Sequence, residues 1–445
     1  MKKIIDTIRN IFSIEDLRRR IINTFLYLLA FRVGSYIVLP GLSEAALSSN
    51  SGNTEGLLGL INSFAGGAFS RASILALGIM PYISASIVIQ LLTLAVPMFQ
   101  RLQKEGEEGR NKLNQYTRIF TIAITFIQAF GFIATLRGQP GVIINDNFGF
   151  VAQTIIFLIA GTVFTMWLGE RITDRGIGNG ISLIIMVGIL ARFPHSIYGE
   201  FIARQTQGGG GLFIFLAEIV FLLLVIAFTI LLVQGTRKIP VQYAKRIIGN
   251  KQYGGARQWL PLKVNQAGVM PIIFAQAIMF IPGTIAQFFP TSEFWRGVAT
   301  NFNSQSSIWY DMFLGFTIIA FTYFYTAITI NPVQIAEEMK RNNGFIPGVK
   351  PGKSTADFID NVMSRITLPG SIFLAIIAIL PALARVLGLS SSFAQFFGGT
   401  SLLIMVGVLL DTLQQIESQL TMRHYDGLMK GGNRIKGRTQ VPQSM

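Results

Sequence analysis

Residues 64–83 read FAGGAFSRASILALGIMPYI, and this stretch decides what kind of helix can form here. It contains the adjacent glycines Gly66 and Gly67, two serines, an arginine and a proline, yet an apolar run continues beyond it to Leu92. Each glycine disfavours a helix by roughly 1 kcal/mol relative to alanine. The pattern therefore predicts a short, loosely built half-helix directly in front of a full apolar helix.

The composition places these helices in a membrane. Of the 445 residues, 51% are hydrophobic and 13% are charged, whereas an ordinary soluble domain has about 25% charged residues. A helix that crosses a bilayer needs about 20 apolar residues. The sequence predicts an all-α membrane protein with ten such spans, near residues 21–39, 73–96, 119–136, 150–168, 181–193, 212–234, 268–290, 310–330, 367–384 and 398–416.

The basic residues are distributed unevenly over the loops. The formal net charge is +15, and most of the 37 Lys and Arg residues fall in the termini and in alternate loops such as 235–265 and 337–366. Loops rich in Lys and Arg stay in the cytoplasm, so we expect both termini and these loops there. Residues 1–20 place apolar side chains at helical spacing among basic ones, which favours an interfacial helix over a frayed polar terminus.

No pattern of catalytic or metal-binding residues is found. Cysteine is absent and there are two histidines, which excludes Cys/His metal clusters. The run at 176–180 lacks the third glycine of a dinucleotide fingerprint, and Gly352-Lys353-Ser354 lacks the earlier glycine of a phosphate-binding loop. We therefore expect no cofactor and no metal, and a passive pore is the favoured class.

Two other classes stay open at this point. Glu218 lies inside a predicted span, and a carboxylate in that position is typical of a secondary transporter that carries protons. The alternative for Glu218 is a contact between packed helices. An intramembrane enzyme is the third class, and no residues can be named for it.

Several motifs resemble the SecY family, the pore subunits of bacterial protein translocons. The stretches ILALGIMPYISASIVIQ at 74–90 and WLGERITDRGIGNGISLII at 167–185 are similar to its two signature regions. The likeness covers nearly the whole chain, in order. It continues through RKIPVQYAKR at 237–246, LPLKVNQAGVMP at 260–271, FIPGVKPGKST at 345–355 and FFGGTSLLI at 396–404.

The resemblance implies a clamshell of ten transmembrane helices in two pseudosymmetric five-helix halves, residues 21–208 and 209–416. A cytoplasmic amphipathic segment (1–20) precedes them, and a cytoplasmic tail (417–445) follows. A helix at about 57–70 would be about 21 Å long at 1.5 Å per residue, too short for a core of roughly 30 Å. The resemblance implies that this half-helix is a re-entrant plug. The plug residues so implied are Ile61, Asn62, Ser63, Phe64, Ala65, Gly66, Gly67, Ala68, Phe69 and Ser70.

The resemblance also assigns residues to three further sites. A ring of branched apolar side chains forms a dewetted constriction that blocks ions. The docking loops carry basic residues, and the lateral gate carries polar residues, for which ordinary hydrogen bonds between packed helices are the alternative. Lys350 stands where the family usually has Arg, which puts bidentate pairing there in doubt. The pore ring is Ile79, Ile83, Ile185, Ile273 and Ile404; the lateral gate is Ser84, Gln128 and Gln276; the docking residues are Arg237, Lys238, Lys245, Arg246, Lys350 and Lys353.

The function that the resemblance implies is a passive channel. It would translocate unfolded secretory polypeptides across the membrane and release transmembrane segments laterally into lipid, driven by the SecA ATPase or a translating ribosome. The implied partners are SecE, SecG, SecA, the ribosome, signal peptides, nascent polypeptides, membrane lipid and further translocase subunits. The implied location is the bacterial inner membrane, with several crossings and both termini in the cytoplasm.

Overall fold

The fold was analysed in a computed structural model. It describes residues 14–43, 45–47, 62, 64–206, 211–243, 246–248, 251–253, 257–265, 268, 270–276, 278–279, 293–294, 297 and 307–431. We call residues 14–206 the N-terminal half and residues 211–431 the C-terminal half.

The N-terminal half consists of helices. The predicted fifth span, 181–193, is short because the apolar segment continues through a second helix and runs from Gly180 to Thr206. The helices are α1 (Glu15–Gly34), α2 (Met80–Ala95), α3 (Pro97–Lys104), α4 (Glu107–Arg137), α5 (Phe148–Arg175), α6 (Gly180–Leu190) and α7 (Phe193–Thr206).

The C-terminal half combines helices with short strands. Most of the predicted span 268–290 lies outside the described residues. Residues 270–276, which the structure does describe, are helical. The predicted tail 417–445 begins within the last helix. The helices are α8 (Gly211–Gln234), α9 (Ile308–Thr329), α10 (Pro332–Arg341), α11 (Lys353–Val386), α12 (Ser391–Ala394) and α13 (Gly399–Gly431).

Seven helical segments of the described part are long and apolar enough to cross a membrane, or up to eight if the bent pair α2 and α3 counts as one span. The bend of 96° falls at Val96 and Pro97. α1 is less apolar because its first turns carry three consecutive arginines, residues 18–20. α2 begins at Met80, so Pro81 occupies its first turn, where a missing N–H breaks no helical hydrogen bond.

The sequence reading missed a small antiparallel sheet. Its strands are β1 (Thr236–Tyr243), β4 (Arg257–Lys263) and β5 (Gly344–Phe345), in the order β4-β1-β5, and β2 (Arg246–Ile248) pairs separately with β3 (Lys251–Tyr253). In β1, Ile239 and Val241 are buried on one face. This alternation with a period of two is the sequence signal for a strand. A search for long apolar runs does not detect it.

The core is divided into clusters. One cluster lies wholly in the N-terminal half around Ala68, Phe132 and Leu158, and another lies in the C-terminal half around Ile318 and Ile377. A third includes residues of both halves, among them Phe31, Ile185, Phe396 and Ile404. We call it the central cluster.

Candidate functional site

The five isoleucines of the predicted pore ring all lie in or against the central cluster. Ile79, Ile185 and Ile404 are buried members, each 2% exposed, and Ile83 and Ile273 are partly buried and pack against the cluster. They come from the α2 region, from α6, from helical residues 270–276 and from α13. Four separate segments of the two halves therefore bring apolar branched side chains to one place.

The loop before α6 fixes the position of Ile185. Asn179 caps α6, because its side-chain oxygen accepts hydrogen bonds from the backbone N–H groups of Ile181 and Ser182. The backbone N–H of Gly178 donates to Gln415 Oε1 of α13 at 3.0 Å. The glycine-rich loop thus connects α6 to the C-terminal half.

The described part of the predicted plug is a compact turn. Residues 65–72 form turns, so the prediction of helix is wrong for residues 65–70. The physical reason is the glycine pair: Gly66 (φ +64°) and Gly67 (φ +86°) adopt left-handed conformations that end a right-handed helix. Ile61 and Ser63 lie outside the described residues.

The plug packs between two cores. Phe64 is 5% exposed and belongs to the central cluster with the five isoleucines, whereas Ala65, Ala68 and Phe69 belong to the core of the N-terminal half. The Phe69 ring lies edge-on to Phe132, with 5.0 Å between ring centroids. The turn is therefore seated directly against the candidate constriction.

Hydrogen bonds hold the plug turn in shape. Asn62 is buried; its carbonyl oxygen accepts from the Gly67 N–H at 2.8 Å, and its side-chain oxygen accepts from the Ser70 N–H at 3.0 Å. The Gly66 carbonyl oxygen accepts from Arg32 at 3.2 Å and from Arg71 at 3.0 Å. Arg32 ties the turn to α1, and Arg71 bonds the Gly66 carbonyl from within the same run of turns.

The three residues predicted for the lateral gate are not brought into one contact. The Ser84 hydroxyl donates to the Met80 carbonyl of its own helix at 3.2 Å, and Gln276 Nε2 donates to Thr400 Oγ1 within the C-terminal half at 2.7 Å. Gln128 is half-buried on α4. Neither of these two hydrogen bonds crosses between the halves.

Glu218 forms a buried ion pair. Its Oε1 accepts from Arg204 Nη2 at 2.6 Å, and Arg204 Nε lies 3.0 Å from Glu200 Oε1. The two carboxylates are 8% and 1% exposed. Glu200 Oε2 also accepts from the Ser390 N–H at 3.1 Å, so the cluster links α7 to α8 and to the residue directly before α12. This is the helix-packing contact that was one of the two interpretations of Glu218.

The structure joins the two basic loops into one unit, which we call the platform: β1, β4, β5, α10 and the start of α11. β1 pairs with β4 along its length and with β5 through Gln242 and Phe345. A small core of Ile239, Val241, Leu262 and Ile359 lies beneath.

The predicted docking residues on the platform are exposed where they are described. Arg237 and Lys238 lie on β1, and Lys350 and Lys353 lie at the turn that leads into α11. Lys245 and the side chain of Arg246 lie outside the described residues. The platform therefore presents basic side chains from both loops on one folded unit.

Comparisons with known proteins agree with this architecture. The family model SecY matches residues 73–413. The chain is 43% identical over 434 residues to the protein translocase subunit SecY of Streptomyces galbus, an alignment that covers 94% of this chain and 98% of that protein.

Solved structures share the fold. One described as the structure of a protein conducting channel superimposes with a TM-score of 0.62 and 17% identity, covering 94% of this chain and 95% of the other. A second is described as a SecY protein whose plug domain stabilises the closed state of the translocation channel and maintains a membrane seal. It has a TM-score of 0.58 and 18% identity, with 94% and 95% covered.

Proposed function

The chain belongs to the SecY family, and we propose that its five clustered isoleucines, with the plug turn beside them, form the seal of a protein-conducting channel. It is a multi-pass membrane protein and a translocase subunit that acts as a channel, not as an enzyme. In this function unfolded polypeptides pass through the constriction, and transmembrane segments leave sideways into lipid.

One observation carries the proposal for the seal. Residues far apart in the chain, Ile79 and Ile404 among them, share one buried cluster with the plug residue Phe64. A narrow ring of branched apolar side chains excludes water and therefore ions, and it spreads around a passing chain without any covalent chemistry. An apolar seal made by both halves opens when the halves separate.

The test is resting ion conductance in planar bilayers. Ile185→Asn with Ile404→Asn should raise conductance through the closed channel, because polar side chains let water enter the ring. Ile404→Val, which keeps a branched apolar side chain, should stay close to the parent. Ile318→Asn is the matched control: Ile318 is 0% exposed in a different core, so this change weakens the fold without wetting the ring. Equal conductance of the double variant and the parent would contradict the assignment.

We propose that the platform is the docking surface for SecA or the ribosome. Exposed Lys and Arg attract the phosphates of RNA and the acidic faces of proteins. The support is the position of Arg237, Lys238, Lys350 and Lys353 on one folded unit. Binding measured with purified ribosomes and with SecA at low and high salt tests this assignment.

The remaining assignments follow the family. We propose that SecE, SecG, signal peptides, nascent polypeptides and further translocase subunits bind this chain, and that Ser84, Gln128 and Gln276 border the lateral gate towards lipid. We propose the bacterial inner membrane as its location, with both termini in the cytoplasm. Reporter fusions after Lys350 should read cytoplasmic and fusions near Ser304 external; the opposite result would overturn this orientation.

The domain boundaries are part of the same proposal. We propose that residues 21–208 and 209–416 are the two five-helix units of the family, flanked by the segment 1–20 and the tail 417–445. Copurification of a small single-span or three-span protein with this chain would support the partner assignment.

A further inference from the structure

Two arginines converge on one backbone carbonyl of the plug. Arg32 lies near the end of α1, and its Nη1 is 3.2 Å from the Gly66 oxygen. Arg71 follows the plug turn, and its Nη2 is 3.0 Å from the same oxygen. Hydrogen bonds from charged donors are about twice as strong as those between neutral groups, so this carbonyl is held more firmly than an ordinary turn requires.

A tyrosine ring lies against both guanidinium groups. The Arg71 Cζ is 4.1 Å from the centroid of the Tyr36 ring, and the Arg32 Cζ is 5.5 Å from it. Among the carboxylates that the structure describes, none forms an ion pair with either arginine. Arg32 Nη2 also donates to the Tyr36 hydroxyl at 3.5 Å. Two like charges repel each other, so the shared carbonyl and the tyrosine, through its ring face and its hydroxyl, are the groups that keep them together.

The conformation of Gly66 makes this arrangement possible. At φ +64° the residue turns its carbonyl towards both arginines, and a Cβ there would lie 2.6 Å from Arg32 Nη1 and 3.0 Å from the backbone of Gly188. A side chain would therefore push the plug away from α6 and from α1 together. The contact with the arginines and the seat on α6 depend on the same residue.

We propose that Arg32, Arg71 and Tyr36 form a latch that holds the plug turn in its seat through the Gly66 carbonyl. The latch rests on the proposed function of the plug as part of the seal, and its three residues are positioning residues. Arg71 belongs to the same run of turns as Gly66, so displacement of the turn breaks the hydrogen bond from Arg32 and separates Arg71 from the Tyr36 ring. The plug is thus retained by two independent means: the apolar contact of Phe64 with the central cluster, and the polar latch on its other side.

The first experiment removes one arm of the latch. Arg71→Gln should raise resting conductance in planar bilayers by roughly tenfold, since one hydrogen bond to a charged group is lost. The chain has no cysteine, so Ala68→Cys, a position with 0% exposure, reports plug displacement through its rate of labelling by a thiol reagent. That rate should rise in the Arg71→Gln background. Arg137→Gln is the matched control, because Arg137 is half-exposed and pairs with Asp146 away from the plug.

The ring of Tyr36 provides a second, independent variant. Tyr36 is 58% exposed, so a change there disturbs little packing. Tyr36→Phe keeps the aromatic face and loses only the exposed, long hydrogen bond from Arg32 to the hydroxyl, so it should stay close to the parent. Tyr36→Leu removes both the face and the hydroxyl and should raise both conductance and labelling. If Tyr36→Leu and Arg71→Gln both matched the parent, the latch would be refuted.

Removal of the plug separates this proposal from the function on which it rests. In a channel that lacks Asn62–Ser70, Arg71→Gln should raise conductance no further, because the latch has nothing left to hold. An equal rise with and without the plug would overturn the latch while leaving the seal intact. If deletion of the plug changed nothing by itself, the assignment of the plug would fail instead.

Discussion

The proposed pore constriction and the platform differ in the kind of residue that forms them. The proposed constriction lies in a cluster of buried apolar side chains from both halves, and a residue such as Ile404 has no local feature that distinguishes it from other isoleucines in membrane helices. The platform is a local unit of strands and turns whose exposed residues, such as Arg237, are charged. An apolar seal depends on shape and on exclusion of water, whereas binding to the charged platform depends on electrostatic attraction. The two should therefore respond differently to polar substitutions and to salt.

The largest effect is expected when the whole seal is weakened. Deletion of Asn62–Ser70 leaves the five isoleucines as the barrier, and adding Ile185→Asn and Ile404→Asn wets that barrier. The closed state also loses apolar contacts at about 25 cal/mol per Å² of buried surface and shifts towards the open state. Resting conductance should rise from the parent to the deletion and again to the combined variant. If the combined variant sealed as tightly as the parent, the isoleucine cluster would not be the seal, and its contrast with the charged platform would have no functional meaning.

The next effect separates loss of stability from loss of the seal. Arg204→Gln leaves the carboxylates of Glu200 and Glu218 buried without their cation. Breaking a buried ion pair in this way typically costs about 3–5 kcal/mol, so thermal unfolding in detergent should occur at a distinctly lower temperature. Arg118→Gln is the control: Arg118 is 49% exposed and pairs with Glu170, and loss of an exposed pair costs about 0–1 kcal/mol. Equal melting temperatures for the two variants would contradict this account.

A smaller effect is expected on the platform. Arg237→Glu with Lys238→Glu replaces two exposed cations by anions and should weaken ribosome or SecA binding by roughly tenfold at low salt. The difference should shrink at high salt, because exposed charges are screened over about 8 Å at physiological ionic strength and less beyond it. Resting conductance should match the parent. A leak in this variant would show that the platform and the seal are not independent.

The smallest effect is expected at Lys350. Lys350→Arg keeps the charge and adds the planar fork of donors that suits phosphate and carboxylate. Docking affinity should rise by less than about tenfold, since a single exposed contact is worth about 1 kcal/mol at most. Binding weaker than that of the parent would indicate that the site is shaped for lysine.

The sequence predicted most of the helices because their apolar runs are long. The span 212–234, for example, corresponds to α8, Gly211–Gln234. It did not predict the turn at residues 65–70 as a turn, because helix propensity alone does not say where two glycines adopt positive φ. Local sequence patterns therefore predict helices and their approximate bounds. The backbone conformation of a glycine depends on the tertiary packing around it and is not predicted by these patterns.

The site was predictable only in part. The isoleucines were selected through the family motifs. Hydrophobic periodicity and composition cannot distinguish Ile185 from its neighbour Ile184, which is also buried. The Glu218 to Arg204 pair joins residues of two helices, so only tertiary structure decides between packing and proton transport. The strands of the platform did carry a local signal, the alternation of Ile239 and Val241 with exposed or half-exposed residues.

The most direct test of the central claim is cross-linking of a polypeptide halted in transit. Because the chain has no cysteine, single cysteines at Ile273 or Ile404 can be paired with cysteines placed along a stalled secretory protein. We expect disulfide cross-links from both ring positions to the segment of the substrate that spans the membrane, and none from Ile318→Cys in the core of the C-terminal half. Cross-links at Ile318→Cys with none at the two ring positions would show that polypeptides do not pass through the isoleucine cluster, and the account of the seal would be wrong.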